Sequence, residues 1–221
     1  WYYAFHTENK LKHTQHLRYD HVEWLEKAKN GDEVEFEPFL LDSEDLRNAS
    51  YSYRGRYSRA ILSLLSNQIP KDWKYHDRSV INQVYYELTD KPELHHVFPS
   101  NFVENYPGEN KIDSNSLMNI AYLPKITNLE ISDKNPINYL KGYDDNNFEE
   151  VLESHLIPEI ILKWSRNDEL GHRYLDRFIE RRVKLFEEEL KDKLYDIQFN
   201  VRDSRVHDVN VQLLIEEGEG Q

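Results

Sequence analysis

The sequence predicts an α+β domain that is mostly helical, with a small strand–loop–strand–helix core set between the helices. Three observations predict it. Several stretches carry apolar residues at helical spacing, most clearly residues 168–195. Two short runs without that period, ELHHV from Glu93 and NIAYL from Asn119, read as strands. Pro99 ends the first run, and Pro124 stands where a helix would take its first turn after the second. The boundaries that follow are a helical N-terminal part over 1–92, the core over 93–141, and C-terminal helices with a tail over 142–221.

Composition narrows the classes. The chain has 221 residues, enough to bury a real core. It has no Cys, which removes disulfides, Cys-ligated zinc and thiol nucleophiles together and fits a reducing compartment. No apolar run approaches the ~20 residues of a membrane helix, and no signal peptide is visible, so the expected location is cytoplasmic. Only 7 Gly are present and none forms a phosphate loop, which argues against nucleotide-triphosphate chemistry. The first residue is Trp1 rather than Met, so a piece of a longer protein is expected.

In chain order, residues 13–29 read as a helix that stops at Asn30-Gly31. His13, His16 and Asp20 share a face there that a metal could use, but a solvated face is the preferred reading. Asp42 or Ser43 caps a short helix, SEDLRNA. Tyr57–Ser66 reads as an amphipathic helix ending before Pro70. Just before and within it, Arg54, Arg56 and Arg59 alternate with Tyr51, Tyr53 and Tyr57. That cluster is a candidate phosphate-gripping surface, against the plainer reading of surface arginines at a helix start.

Residues 78–89 are a further periodic segment, helix or strand, closed by a turn at 90–92. Helices are expected over 147–164 and 168–195. The second carries the stripe Leu170, Tyr174, Leu175, Phe178, Ile179, Val183, Phe186 and Leu190. Its Arg173, Arg177, Arg181 and Lys184 either face a polyanion or form a solvated, salt-bridged face, and the second is preferred. Residues 206–215 suggest a strand, and EEGEGQ an unstructured tail.

The chemistry concentrates between Glu93 and Lys134. His95 and His96 are adjacent on a strand, so their side chains leave on opposite sides. A division of labour follows in which one contacts a metal and the other faces water, since neutral imidazole suits a base near neutral pH. Asn128, on the helix after Pro124, can point back at the first strand with an amide oxygen suited to Mg²⁺ or Mn²⁺. Asn119 can hydrogen-bond across the intervening loop. Lys125 and Lys134 are nearby candidates for phosphate contact. A His-His pair alone is more often structural. The specific signal is His-His-Val-Phe-Pro, a loop, then two asparagines separated by eight residues.

HHVFPSNF, NIAYLPKITN and ISDKNPINYL resemble the C-terminal HNH (ββα-metal) nuclease domain of GmrSD-type modification-dependent restriction enzymes, a group that takes in SspE-like phage-defence proteins. YLDRFIERRVKLF is similar to that domain's closing helix. The specific motifs cover about 45 residues. The resemblance implies His96 as general base, His95 and Asn128 as metal ligands and Asn119 as the residue that orients the loop. Glu93 would orient His95 or join the metal shell. Many of these enzymes have an acidic residue where His95 stands, so this chain follows a His-His variant.

The expected function is a metal-dependent DNA endonuclease or nickase in bacterial antiviral restriction, using Mg²⁺ or Mn²⁺. A ParB-like N-terminal sensor domain is the implied partner. The net charge of −13 runs against independent DNA binding and is consistent with affinity supplied from another domain. Two rivals stay open: a non-catalytic interaction module with a degenerate HNH fold, and an RNA-directed nuclease with the same core.

Overall fold

The computed structural model describes residues 22–33, 43–81, 90–106, 108–145 and 147–193. The candidate face with His13, His16 and Asp20, most of the segment 78–89, and the expected strand 206–215 with its tail lie outside them. The chain divides into two units, residues 1–45 with 190–221 and residues 46–189.

In the first unit, residues 22–30 form a helix (α1) that ends as Asn30-Gly31 predicts. Gly31 sits at φ 77°, its N–H reaches the Ala28 carbonyl, and the Asp32 N–H reaches back to Lys27. This pair of bonds satisfies carbonyls that the last turn leaves open, and only glycine takes that φ without cost.

The second unit is a mixed α+β arrangement of short helices around one small sheet. Ser43–Asn48 (α2) bridges the boundary region, and Arg56–Asn67 (α3) buries Ala60, Ile61, Leu64 and Leu65 along one face. Strand β1, Pro92–His96, pairs antiparallel with β2, Ile120–Pro124, placing His95 opposite Ala121 and His96 opposite Ile120. Between the strands lie Ser100–Asn105 (α4), a long loop, and a single 3-10 turn, Leu117–Asn119. Asn119 therefore ends that turn and does not open the second strand. Lys125–Ile131 (α5) follows Pro124 directly, and Pro136–Leu140 (α6) starts with the Asn135 side chain accepting the Ile137 N–H at 2.9 Å.

Two helix boundaries differ from the periodic pattern. The stretch 147–164 is two helices, Phe148–Ser154 (α7) and Ile160–Asn167 (α8). Leu156 at φ 50° and Pro158, which has no N–H and disfavours helix before it, break the run while its apolar period continues. The last helix, α9, is Tyr174–Lys193 and does not begin at 168, because Asp168, Gly171 and Arg173 all hold positive φ.

The stripe of α9 is buried throughout, from Leu170 and Tyr174 to Phe186 and Leu190. Two charged residues share its buried side, Asp176 and Arg182, each 0% exposed. The Arg182 guanidinium donates to three backbone carbonyls: Leu156 (2.9 Å), Met118 (2.8 Å) and His155 (2.8 Å). Burial lowers its pKa to about 9, so it stays charged at neutral pH. Among the described residues no helix is long and apolar enough to cross a membrane.

Candidate active site

The period of two in β1 sorts its side chains. Glu93 and His95 leave on one face and meet α5. Leu94 and His96 leave on the other.

On the first face three side chains form a chain of hydrogen bonds. The Asn128 amide nitrogen donates to Glu93 Oε2 at 3.0 Å, which turns its oxygen toward His95 Nδ1 at 2.8 Å. The nitrogen at that contact must carry the proton, so His95 is the Nδ1–H tautomer here. His95 is 3% exposed, and its Nε2 is buried with no hydrogen-bond partner. Burial lowers its pKa to about 4; the bond to Asn128 opposes the shift and the charge of His96 adds to it. Trp73 and Tyr139 stand edge-on to the ring, with centroids at 5.9 Å and 6.0 Å. Trp73 also meets His155, Tyr143 and Phe148, so the imidazole is backed by a fixed aromatic cluster.

On the opposite face His96 is half-buried. Burial lowers its pKa, opposed by the adjacent Asn115 side chain and then by the Asp113 carboxylate. Its Nε2 is also buried without a partner. The ring is neutral near pH 7 and has a lone pair to offer.

Asn119 fastens the loop between the strands. Its side-chain oxygen accepts the Phe98 N–H at 2.9 Å, and its amide nitrogen donates to the carbonyls of Phe98 (2.9 Å) and Ser114 (2.8 Å). It is 0% exposed, and its own carbonyl accepts the Val97 N–H at 2.8 Å. The backbone that follows His96 is thereby held from within. The far side of the same loop is held by α9. The Asp176 carboxylate accepts the N–H groups of Lys111 (2.9 Å) and Ile112 (3.0 Å) and pairs with Arg173. Asn110 Oδ1 accepts the Leu175 N–H at 3.0 Å.

The remaining candidates are more dispersed. Lys125 is exposed at the start of α5. Lys134 donates its ammonium to the Glu130 carbonyl. Arg54 and Arg59 are exposed, and Arg56 is half-buried at the first position of α3. On α9, Arg177 lies over the Trp164 ring at 5.5 Å, while Arg181 and Lys184 are exposed.

Sequence reasoning did not single out Trp73, Asn115, Tyr139, Asp176 or Arg182. The charges at Asp176 and Arg182 carried a usable signal, because both fall on the apolar side of the α9 stripe. Trp73 lies in KDWKYH, a stretch without periodicity, and offered none.

His95 and Asn128 are the two side chains that could hold a divalent cation. His95 is neutral, Asn128 supplies an oxygen, and a carboxylate is one contact away. Among the described residues no group of three or more His, Asp or Glu side chains converges, so such an ion would keep several waters. Comparison with protein-family models, with curated proteins and with solved structures returns no match.

Proposed function

We propose that residues 93–141 are an HNH (ββα-metal) nuclease core and that the chain is a metal-dependent DNA endonuclease or nickase of bacterial defence against phage. The observation that carries the reading is the pairing of His95 Nδ1 with Asn128 Oδ1 at 2.8 Å, with a second, neutral histidine at the next position of the strand, on its other face. His95 and Asn128 would hold Mg²⁺ or Mn²⁺, with Glu93 fixing the Asn128 amide. The bound ion would supply Lewis-acid stabilisation of the departing 3′ oxygen and of charge on the phosphate. For His95 to offer Nδ1 as a ligand, its proton moves to Nε2, which faces the interior.

His96 is the general base. Its neutral imidazole takes a proton from water as that water attacks phosphorus, leaving 5′-phosphate and 3′-hydroxyl ends. Asn119 holds Val97 and Phe98, and so the exit of β1, in register with the loop. A ParB-like sensor domain would contribute affinity for DNA that an acidic chain lacks.

The same net charge of −13 favours the second reading, a non-catalytic interaction module on the same fold. Supercoiled plasmid incubated with Mg²⁺ or Mn²⁺, with EDTA and His96→Ala controls, separates the two. Nicking or linearisation that needs metal and is lost in the variant supports the nuclease. Intact plasmid with both metals, together with no metal binding in a direct titration, supports the module.

A further inference from the structure

We infer that the turn Ser52–Gly55 is a strand-binding element that stacks an unpaired nucleobase on Tyr53 and holds the neighbouring phosphate with Arg54, next to the His96 side of the core. This inference rests on the nuclease reading for its orientation, and its ligand is single-stranded nucleic acid.

The turn is tied to the segment that flanks His96. Ser50 forms a bridge with Ser116, the Tyr51 N–H donates to the Asn115 carbonyl at 2.9 Å, and the Asn115 side-chain nitrogen donates back to the Tyr51 carbonyl at 3.3 Å. Asn115 is the residue whose side chain lies beside the His96 imidazole. The turn is thereby tied through Asn115 to the His96 side of the core.

The turn itself is rigid. Gly55 N–H closes it on the Ser52 carbonyl at 2.9 Å, and the Ser52 N–H is held by the buried Ser58 hydroxyl at 2.9 Å. A Cβ at Gly55 would stand 3.0 Å from Ser52 Cβ and 3.2 Å from Ser58 Oγ, so the tight closure uses the glycine. The two corner residues, Tyr53 and Arg54, point outward, and Tyr53 is 80% exposed.

An exposed ring on a braced corner loses little conformational freedom when a base stacks on it. Such stacking tolerates any base, because every base has a π-face. The face is free only in an unpaired nucleotide, which selects single strands, gaps or flipped bases over intact duplex. Arg54, one residue on, supplies a phosphate contact.

The test measures fluorescence anisotropy of labelled 12-nucleotide single-stranded DNA, single-stranded RNA and duplex DNA with the full chain carrying His96→Ala, in EDTA. Circular dichroism and a thermal melt establish that each variant folds. Single strands are expected to bind more tightly than duplex. Tyr53→Ala should weaken them on the order of tenfold, and Tyr53→Phe should retain binding. Arg54→Ala should lower the salt dependence by about one phosphate contact. A 2-aminopurine base in the strand should lose its quenching in Tyr53→Ala and keep it in Tyr53→Phe.

Preference between the two single strands identifies which backbone the site takes, and equal binding means that phosphate and base alone are read. Unchanged affinity in both Tyr53→Ala and Arg54→Ala, or absence of single-strand binding, overturns the inference. If plasmid is still cleaved in that case, the nuclease reading stands without it. If Tyr53-dependent binding is found with no metal-dependent cleavage, the strand site stands and the nuclease reading falls.

Discussion

Asn128 accepts the His95 Nδ1 proton at 2.8 Å while its own amide nitrogen is held by Glu93 at 3.0 Å, so one carboxylate determines which atom of Asn128 faces the imidazole. Glu93 acts on the asparagine, which follows from both β1 side chains facing α5 together. Asn128→Ala is expected to raise the Mg²⁺ concentration for half-maximal cleavage by about 10-fold or more, and Glu93→Ala to shift it in the same direction through the freed amide. Superimposable Mg²⁺ titrations for wild type and Asn128→Ala would remove Asn128 from the ligand set.

Asn119 satisfies three backbone groups with one buried side chain. Asn119→Ala leaves the Phe98 N–H and the Phe98 and Ser114 carbonyls without these partners, at roughly 1–3 kcal/mol for each group that finds no other. Urea unfolding should show a loss of about 3 kcal/mol or more. A loss below about 1 kcal/mol would mean that the loop is held mainly by Asp176 and Asn110.

Arg182 is the corresponding tie from α9, joining it to Met118 beside Asn119 and to the break between α7 and α8. Arg182→Met removes a buried charge but strands three carbonyls, and a loss of about 3 kcal/mol is expected in thermal or urea unfolding. Arg182→Lys should not restore it, because an ammonium cannot reproduce the planar fork that reaches all three. Full stability in the lysine variant would contradict that account.

Acid should destabilise the fold through His155. It is buried, donates from Nε2 to the Lys71 carbonyl at 2.8 Å, and has its pKa lowered to about 4, first by burial and then by the charges of Arg182 and His95, against the opposing carbonyl bond. The ordinary value is 6.5, so between the two the unfolded chain takes up a proton that the folded chain refuses. Stability is therefore full above about pH 6.5 and falls as the pH drops toward 4, by roughly 3 kcal/mol for a shift of this size. His155→Gln keeps a donor for Lys71 and should flatten the curve in that window. An unchanged pH profile would show that His155 does not contribute.

The regular elements were legible because burial follows period. The α9 stripe and the α3 face can be read directly from apolar spacing, and the strands from two short runs bounded by proline. The breaks were not legible where backbone conformation overrides an uninterrupted pattern, as at Leu156–Pro158 and Gly171–Arg173. In the site, the alternation of β1 separates His95 from His96, and the position of Asn128 after Pro124 turns it back toward the strand. The supports were hidden for a different reason. Trp73, Asn115, Asp176 and Arg182 act across long sequence separations, through packing or backbone hydrogen bonds that no local pattern encodes.

His96 is proposed to move the proton of the attacking water. Single-turnover cleavage of supercoiled plasmid by His96→Ala, with and without added imidazole, tests it most directly. A fall of about 10²- to 10⁴-fold is expected, with substantial recovery when imidazole is supplied and a thermal melt close to wild type. Cleavage by His96→Ala at the wild-type rate would contradict the assignment of the base.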